Sequence, residues 1–114
     1  MEPHKINRAE EGAPALSIVL PAFNEEGNIE RAVRDAFGAA LRIASNCEVV
    51  VVNDGSRDAT ASKLEALQGE YGSSLRIVVH PANLGYGVAL RDGFRATRGE
   101  LVFYTDSDNQ FDLS

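Results

Sequence analysis

Val49-Val50-Val51-Val52-Asn53-Asp54-Gly55-Ser56 is a run of four β-branched apolar residues that ends abruptly in four polar turn formers. An apolar run without alternation belongs to a strand covered on both faces, and such strands occur in parallel sheets flanked by helices. The polar cluster marks the strand's exit, because Asn, Asp, Gly and Ser all favour turns. Outward from this segment the same pattern recurs. Leu16 to Leu20 is an apolar run closed by Pro21 and followed by Ala22-Phe-Asn-Glu-Glu26. Leu75 to Val79 runs into His80-Pro-Ala-Asn83, and Leu101 to Tyr104 stops in Thr105-Asp-Ser-Asp108.

Helical patterns separate these runs. Ile29, Ala32, Val33, Ala36, Phe37, Ala40 and Leu41 form one apolar face, with Asn24 as the expected N-cap and Glu25 and Glu26 suited to the positive end of the dipole. Arg57 and Asp58 open a second helix through about Leu67, capped by Ser56 or Asp58, and Gly69 to Ser74 reads as loop. Asn83-Leu-Gly-Tyr-Gly87 opens a third helix through about Thr97, with Gly99 as its stop. Gly93 inside it costs about 1 kcal/mol relative to alanine, which marks close backbone packing.

Strand and helix in strict alternation predict an α/β fold: a Rossmann-like parallel sheet with helices on both faces and right-handed crossovers. In such sheets ligands bind beyond the carboxyl ends of the strands, where strand order reverses. All four polar clusters fall on that rim. If the predicted strands lie in the order third, second, first, fourth, the first and fourth flank the site.

The 114 residues suffice for one domain with a modest core. Met1 to Pro14 is polar and of mixed charge and is expected to be a disordered tail, leaving residues 15–114 as the domain. A net charge of -6 without clustered Lys or Arg argues against a nucleic-acid partner. It does not exclude a nucleotide, which a metal ion and backbone N–H groups can hold. Cys47 is the only cysteine, so the chain holds no internal disulfide, and a reducing cytoplasm is the expected compartment. No apolar run approaches the roughly 18 to 20 residues needed to cross a bilayer.

Asp106 and Asp108 close the last predicted strand with two carboxylates one residue apart. Such a pair is best tolerated when a hard divalent cation takes oxygen ligands from it, commonly beside a phosphorylated ligand. The same residues also read as a polar turn. His80 reads as a solvated loop residue, Tyr86 as covering either a ligand or the helix start, and Arg91 and Arg95 as a solvated helix face.

Pro21-Ala-Phe-Asn-Glu-Glu26, Val52-Asn-Asp-Gly-Ser-Arg-Asp-Ala-Thr60, Asn83-Leu-Gly-Tyr-Gly-Val-Ala-Leu-Arg-Asp-Gly93 and Thr105-Asp-Ser-Asp-Asn-Gln110 together resemble, in order and spacing, the nucleotide-binding half of a family 2 glycosyltransferase, close to the polyprenyl- and dolichol-phosphate sugar transferases. The resemblance implies a glycosyltransferase A-type fold, truncated relative to the family. It implies transfer of a sugar from a UDP- or GDP-sugar to an acceptor such as polyprenyl phosphate, by a metal-dependent inverting mechanism. On that pattern Pro21, Phe23, Asn24 and Glu25 line the nucleoside pocket, and Asp54 meets the base. Asn53 stands where the family more often has aspartate, and an amide can donate as well as accept. Gly55 belongs to the same loop. Asn83, Gly85 and Gly87 form the turn beside the diphosphate, where glycine lets backbone come close. Asp106 and Asp108 hold the divalent cation, Mg2+ or Mn2+, and Asp106 also belongs to the nucleotide site. The general base is expected beyond Ser114, with Asp112 read as loop, so the 114 residues alone are expected not to transfer sugar. A polyprenyl acceptor implies peripheral attachment at the inner face of a membrane, and an exposed sheet edge favours self-association as a homo-oligomer. The rival reading is a receiver-like, magnesium-binding signalling module with Asp54 as phosphoacceptor, which leaves the glycine-bearing turn and Asp106 and Asp108 without a role.

Overall fold

A computed structural model of the chain describes residues 13–105 together with the backbone of His4 and Lys5. The strands are β1 (His4–Lys5), β2 (Leu16–Ala22), β3 (Cys47–Asp54), β4 (Leu75–His80) and β5 (Leu101–Tyr104), and the helices are α1 (Ile29–Ile43), α2 (Thr60–Tyr71) and α3 (Tyr86–Ala96). The sheet order is β1-β5-β2-β3-β4, with β2, β3, β4 and β5 mutually parallel. This is the order anticipated for the four main strands, so β2 and β5 are neighbours at the reversal point.

Every residue of β2 and β3 is buried, as runs without alternation require. Ile18, Leu20, Val49 and Val51 face α1 and α2, joining Val33, Phe37, Leu64 and Leu67 in one core. Val19 and Val52 face α3, where a Cβ on Gly93 would lie 3.0 Å from Val52 Cγ2 and closer still to Val19 Cγ1. The interior glycine therefore lets α3 press against the sheet, and the expected close packing is observed. Pro21 lies within β2, on the same flank as Val19, whose carbonyl accepts the Thr105 N–H (3.1 Å). One step beyond that bond, its missing N–H breaks no described ladder bond.

Several local expectations are corrected. Helix α1 starts at Ile29, and Asn24 does not cap it. Leu41, placed on its apolar face by spacing, is 56% exposed, because Ala40, at 0%, is the residue that meets the core at that turn. Helix α2 starts at Thr60 and runs past Leu67 to Tyr71, with a 3-10 turn over Gly72–Ser74 where loop was expected. The extra turn is held by tertiary contacts: Tyr71 stacks on Phe37 with ring centroids 4.1 Å apart, and Glu70 Oε1 accepts from Arg34 Nη2 at 3.1 Å. Of the segment expected to be a tail, the described pair His4–Lys5 forms a short strand, and residues 1–3 and 6–12 lie outside the described residues. His4 and Lys5 pair antiparallel with Val102 and Leu101, covering the outer backbone edge of β5.

At the N-terminal edge of the sheet, Glu48 is 1% exposed. Its carboxylate accepts from Ser17 Oγ (2.6 Å), Arg98 N (2.6 Å) and Arg98 Nε (3.1 Å), and Ser17 Oγ accepts from Gly99 N (2.9 Å). Gly99 is required there because a Cβ would fall 2.5 Å from Ser17 Oγ. Its role is this close approach rather than stopping α3.

Candidate functional site

The loops that follow β2 and β3 leave the sheet level with each other, Ala22 opposite Asn53. Asn24 then takes φ +52°, a left-handed conformation that asparagine tolerates better than other non-glycine residues. A cross-loop brace holds it there: Asn24 Oδ1 accepts from Arg57 N (2.8 Å), while Asn24 N donates to Ser56 Oγ (3.0 Å). The next two amides follow suit, Glu25 N donating to Thr60 Oγ1 (2.9 Å) and Glu26 N to Asp58 Oδ2 (3.1 Å). Three successive N–H groups are thus received by Ser56, Thr60 and Asp58. Asp58 Oδ1 also accepts from Thr60 N (2.9 Å), tying the brace to the start of α2.

Asn53 is buried, and its Oδ1 accepts from Ser56 N (3.1 Å), closing a turn over Gly55 at φ +74°. A Cβ on Gly55 would stand 2.5 Å from Asn83 N and closer to the Ala82 backbone. Only glycine lets the loop after β3 touch the loop after β4.

Asp54 is 4% exposed and its carboxylate meets four donors. Oδ1 accepts from His80 Nδ1 (2.7 Å) and Leu84 N (2.9 Å), and Oδ2 from Gly85 N (3.0 Å) and Asn83 Nδ2 (3.1 Å). His80 Nε2 reaches Asp92 Oδ2 on α3 at 2.8 Å. Both ring nitrogens therefore face carboxylates, whereas a neutral imidazole carries one N–H and would turn a lone pair on one of them. Only the doubly protonated ring can donate to both carboxylates at once, so the two contacts favour the cationic form. The ring's pKa is raised, chiefly by the Asp54 hydrogen bond, against the lowering effect of burial and with further help from Asp92. Burial pushes the Asp54 carboxyl up, but His80 and the Leu84 and Gly85 N–H groups outweigh it and hold the group below the usual carboxylate range. Asp92 is lowered first by its hydrogen bond to His80. A phosphoacceptor needs a carboxylate oxygen open to the incoming phosphoryl group; Asp54 has neither oxygen open, and the receiver reading is set aside.

These loops enclose a cavity of about 540 Å³ at the carboxyl rim. Of the residues expected at the site, Phe23, Asn24, Asn53, Gly55 and Asn83 line it. Pro21, Glu25, Gly85 and Gly87 stand on the same rim without lining it, and the Asp54 carboxylate faces the 83–85 turn instead of the cavity. Asp106 and Asp108 lie outside the described residues. Among the described residues no group of His, Cys, Asp and Glu has a metal-binding arrangement. Sequence reasoning missed His80 and Val79, which wall the cavity, and Asp92 behind them. His80, which its loop position leads one to expect solvated, is 7% exposed. Its only signal in sequence was its place directly at a strand end. Val79, by contrast, is 64% exposed.

Helix α3 begins at Tyr86, after Gly85 at φ +101°, with no acidic residue in its first turn. Its positive dipole end is directed at the rim. A Cβ on Gly87 would meet nothing within 4 Å, so internal packing does not demand a glycine there.

The family model for Glycosyl transferase family 2 matches residues 17–113. The chain is 37% identical over 95 residues to undecaprenyl-phosphate 4-deoxy-4-formamido-L-arabinose transferase of Pseudomonas aeruginosa (strain LESB58), covering 83% of this chain and 28% of that protein. The chain thus spans under a third of the length of such relatives. Mannosyltransferase PcManGT from Pyrobaculum calidifontis, solved in complex with GDP-Man and Mn2+, superposes with a TM-score of 0.73 at 27% identity, covering 89% of this chain and 29% of that one. Glucosyl-3-phosphoglycerate synthase from Mycobacterium tuberculosis, solved with Mn2+, UDP and glucosyl-3-phosphoglycerate, gives 0.62 at 34% identity, covering 83% and 34%. The fold is the Rossmann-like, glycosyltransferase A type expected from the sequence. With its motifs at successive strand ends and the match extending over most of its length, the chain belongs to glycosyl transferase family 2.

Proposed function

We propose that the chain is the donor-binding half of a glycosyltransferase that takes a sugar from a UDP- or GDP-sugar and passes it, with inversion, to an acceptor of the polyprenyl-phosphate class. The observation that carries this reading is the convergence of three motif-bearing loops on one cavity beside the N-terminus of α3. Phe23 and Val79, 44% and 64% exposed, offer apolar surface to a nucleobase. The bare backbone at Gly87 and the dipole of α3 suit a diphosphate, which needs close approach and positive potential. Asp54, instead of reading the base directly, orients the Asn83–Gly85 turn through its carboxylate.

Asp106 and Asp108, two and four residues past Tyr104, where the strand that neighbours β2 ends, supply hard oxygen donors of the kind Mg2+ and Mn2+ prefer. Such a cation, when bound, supplies positive charge for the departing nucleoside diphosphate. The general base is assigned to the acceptor half that the family carries. No described helix is long and apolar enough to cross a membrane. The name of the Pseudomonas relative, an undecaprenyl-phosphate transferase, and the nucleotides and Mn2+ of the solved neighbours support this choice.

Calorimetric titration of UDP and GDP into the full-length protein, with Mn2+ and with EDTA, tests the reading. The expected result is saturable binding of one nucleotide that weakens when Mn2+ is removed. No binding of either nucleotide at millimolar concentration, or binding indifferent to EDTA, overturns it.

A further inference from the structure

We infer that His80 is a positioning residue: a buried imidazolium that bridges Asp54 on β3 and Asp92 on α3, and thereby fixes the carboxylate on which the 83–85 turn is hung. The inference rests on the donor-site reading above, because that turn is the one proposed to lie beside the diphosphate. The geometry is a chain of contacts from the interior to the rim. Asp92 meets one ring nitrogen at 2.8 Å, the other meets Asp54 Oδ1 at 2.7 Å, and Asp54 receives Leu84 N at 2.9 Å and Gly85 N at 3.0 Å. Leu84 and Gly85 are the last two residues before α3, so Asp54 sets where that helix begins. A wall of the cavity, the turn and the helix start therefore share one ionic support.

The charges around the ring explain why it stays cationic. Asp54 faces it from β3 and Asp92 from α3. The other oxygen of Asp92 is shared with Arg91 Nε at 3.2 Å and Arg95 Nη1 at 4.0 Å, which tempers but does not cancel the carboxylate. The loop from Pro81 to Gly85 brings no titratable side chain, and Arg76 on β4 is engaged at the other end of the strand with Glu48 and the Ala96 carbonyl. Loss of the ring's proton would leave two carboxylates facing a group able to donate only once, and the Asp54 position would relax.

The test uses the full-length protein with His80→Gln, which keeps a donor but not the charge, and with Asp92→Asn, which keeps the shape of the second partner. Binding of UDP and GDP in Mn2+ is measured from about pH 6 to about pH 9, across and above the ordinary histidine range. Nucleotide affinity of the parent should fall as pH rises. His80→Gln should weaken affinity roughly tenfold or more and flatten that pH profile. Nitrogen-15 spectra should show both ring nitrogens of His80 protonated at neutral pH, and amide exchange at Leu84 and Gly85 should accelerate in both variants. A singly protonated ring overturns the inference. So does a His80→Gln protein that loses thermal stability yet keeps parental affinity and slow exchange at Leu84 and Gly85, since that is a purely structural role. Should the parent bind neither nucleotide, the donor reading fails, and the ring spectrum and the two amides still decide whether the support exists.

Discussion

Replacing Gly55 by alanine should damage this protein more than replacing Gly72, although both sit at positive φ, +74° and +64°. A left-handed conformation disfavours any residue with a Cβ by about 1–2 kcal/mol. Gly72, at ψ −142°, lies outside the left-handed helical region but in one that residues with a Cβ also rarely adopt, so strain of about 1–3 kcal/mol applies there too, as does the roughly 0.4–1 kcal/mol gained by stiffening the unfolded chain. The positions differ in what the new methyl meets. At Gly72 it meets nothing within 4 Å; at Gly55 it meets the backbone of Ala82 and Asn83, with Asn83 N at 2.5 Å. Backbone held on one side by Asp54 and on the other by β4 cannot move aside as a flexible side chain would. Overpacking adds about 1–3 kcal/mol, so Gly55→Ala should exceed Gly72→Ala by that amount. Urea unfolding followed by far-UV circular dichroism reads the difference directly. With a slope of about 1–3 kcal/mol per molar, the two midpoints should separate by roughly 1 M. Equal midpoints for the two variants would refute the close approach of the loops after β3 and β4, and with it the shape of the cavity. Under the proposed function Gly55→Ala should also weaken nucleotide binding, whereas Gly72→Ala, at the far end of α2, should not.

Further outcomes follow from other parts of the molecule. Glu48→Ala leaves the Ser17 hydroxyl and the Arg98 N–H without their acceptor, while the half-exposed Arg98 guanidinium can turn to solvent, and should destabilise by about 1–3 kcal/mol, measured by denaturation; no measurable loss would show that the cluster contributes little. The raised pKa of His80 contributes stability that is fully present below about pH 6.5 and is lost as pH climbs through the higher native value. The lowered Asp54 and Asp92 contribute stability present above about pH 3.9 that is lost as pH falls through their native values. Thermal melts against pH should therefore show a plateau between these limits, and His80→Gln should flatten its alkaline side; an unchanged alkaline limb would count against the ionic bridge. Asp106→Ala and Asp108→Ala should each abolish the gain in nucleotide affinity on adding Mn2+, seen by calorimetry, and an undiminished gain would remove the metal assignment.

Much of the architecture could be read residue by residue. Val49 to Val52 and Leu16 to Leu20 announce strands buried on both faces, because only there can alternation be dispensed with, and the structure buries them all. Gly93 was identifiable as a packing glycine because nothing else justifies one in mid-helix. The misplaced details share a cause. Asn24 looked like a helix cap, but its partners are Arg57 and Ser56, more than 30 residues away. Gly69 and Gly72 mark the segment around Tyr71 as loop, yet its stacking on Phe37 extends the helix.

The sequence by itself determined the alternation of strands and helices, the rim that carries the polar clusters and the family, because these follow from local apolar periodicity and from motif order. The tertiary structure alone decided that Asp54 turns to His80 and the 83–85 turn, that Ser56, Asp58 and Thr60 receive the amides after β2, and that Glu48 is buried. A polar side chain takes its partner from whichever loop the strand order sets beside it. His80 and Asp54 are 26 residues apart, and Glu48 and Arg98 are 50, distances at which no local pattern records the pairing.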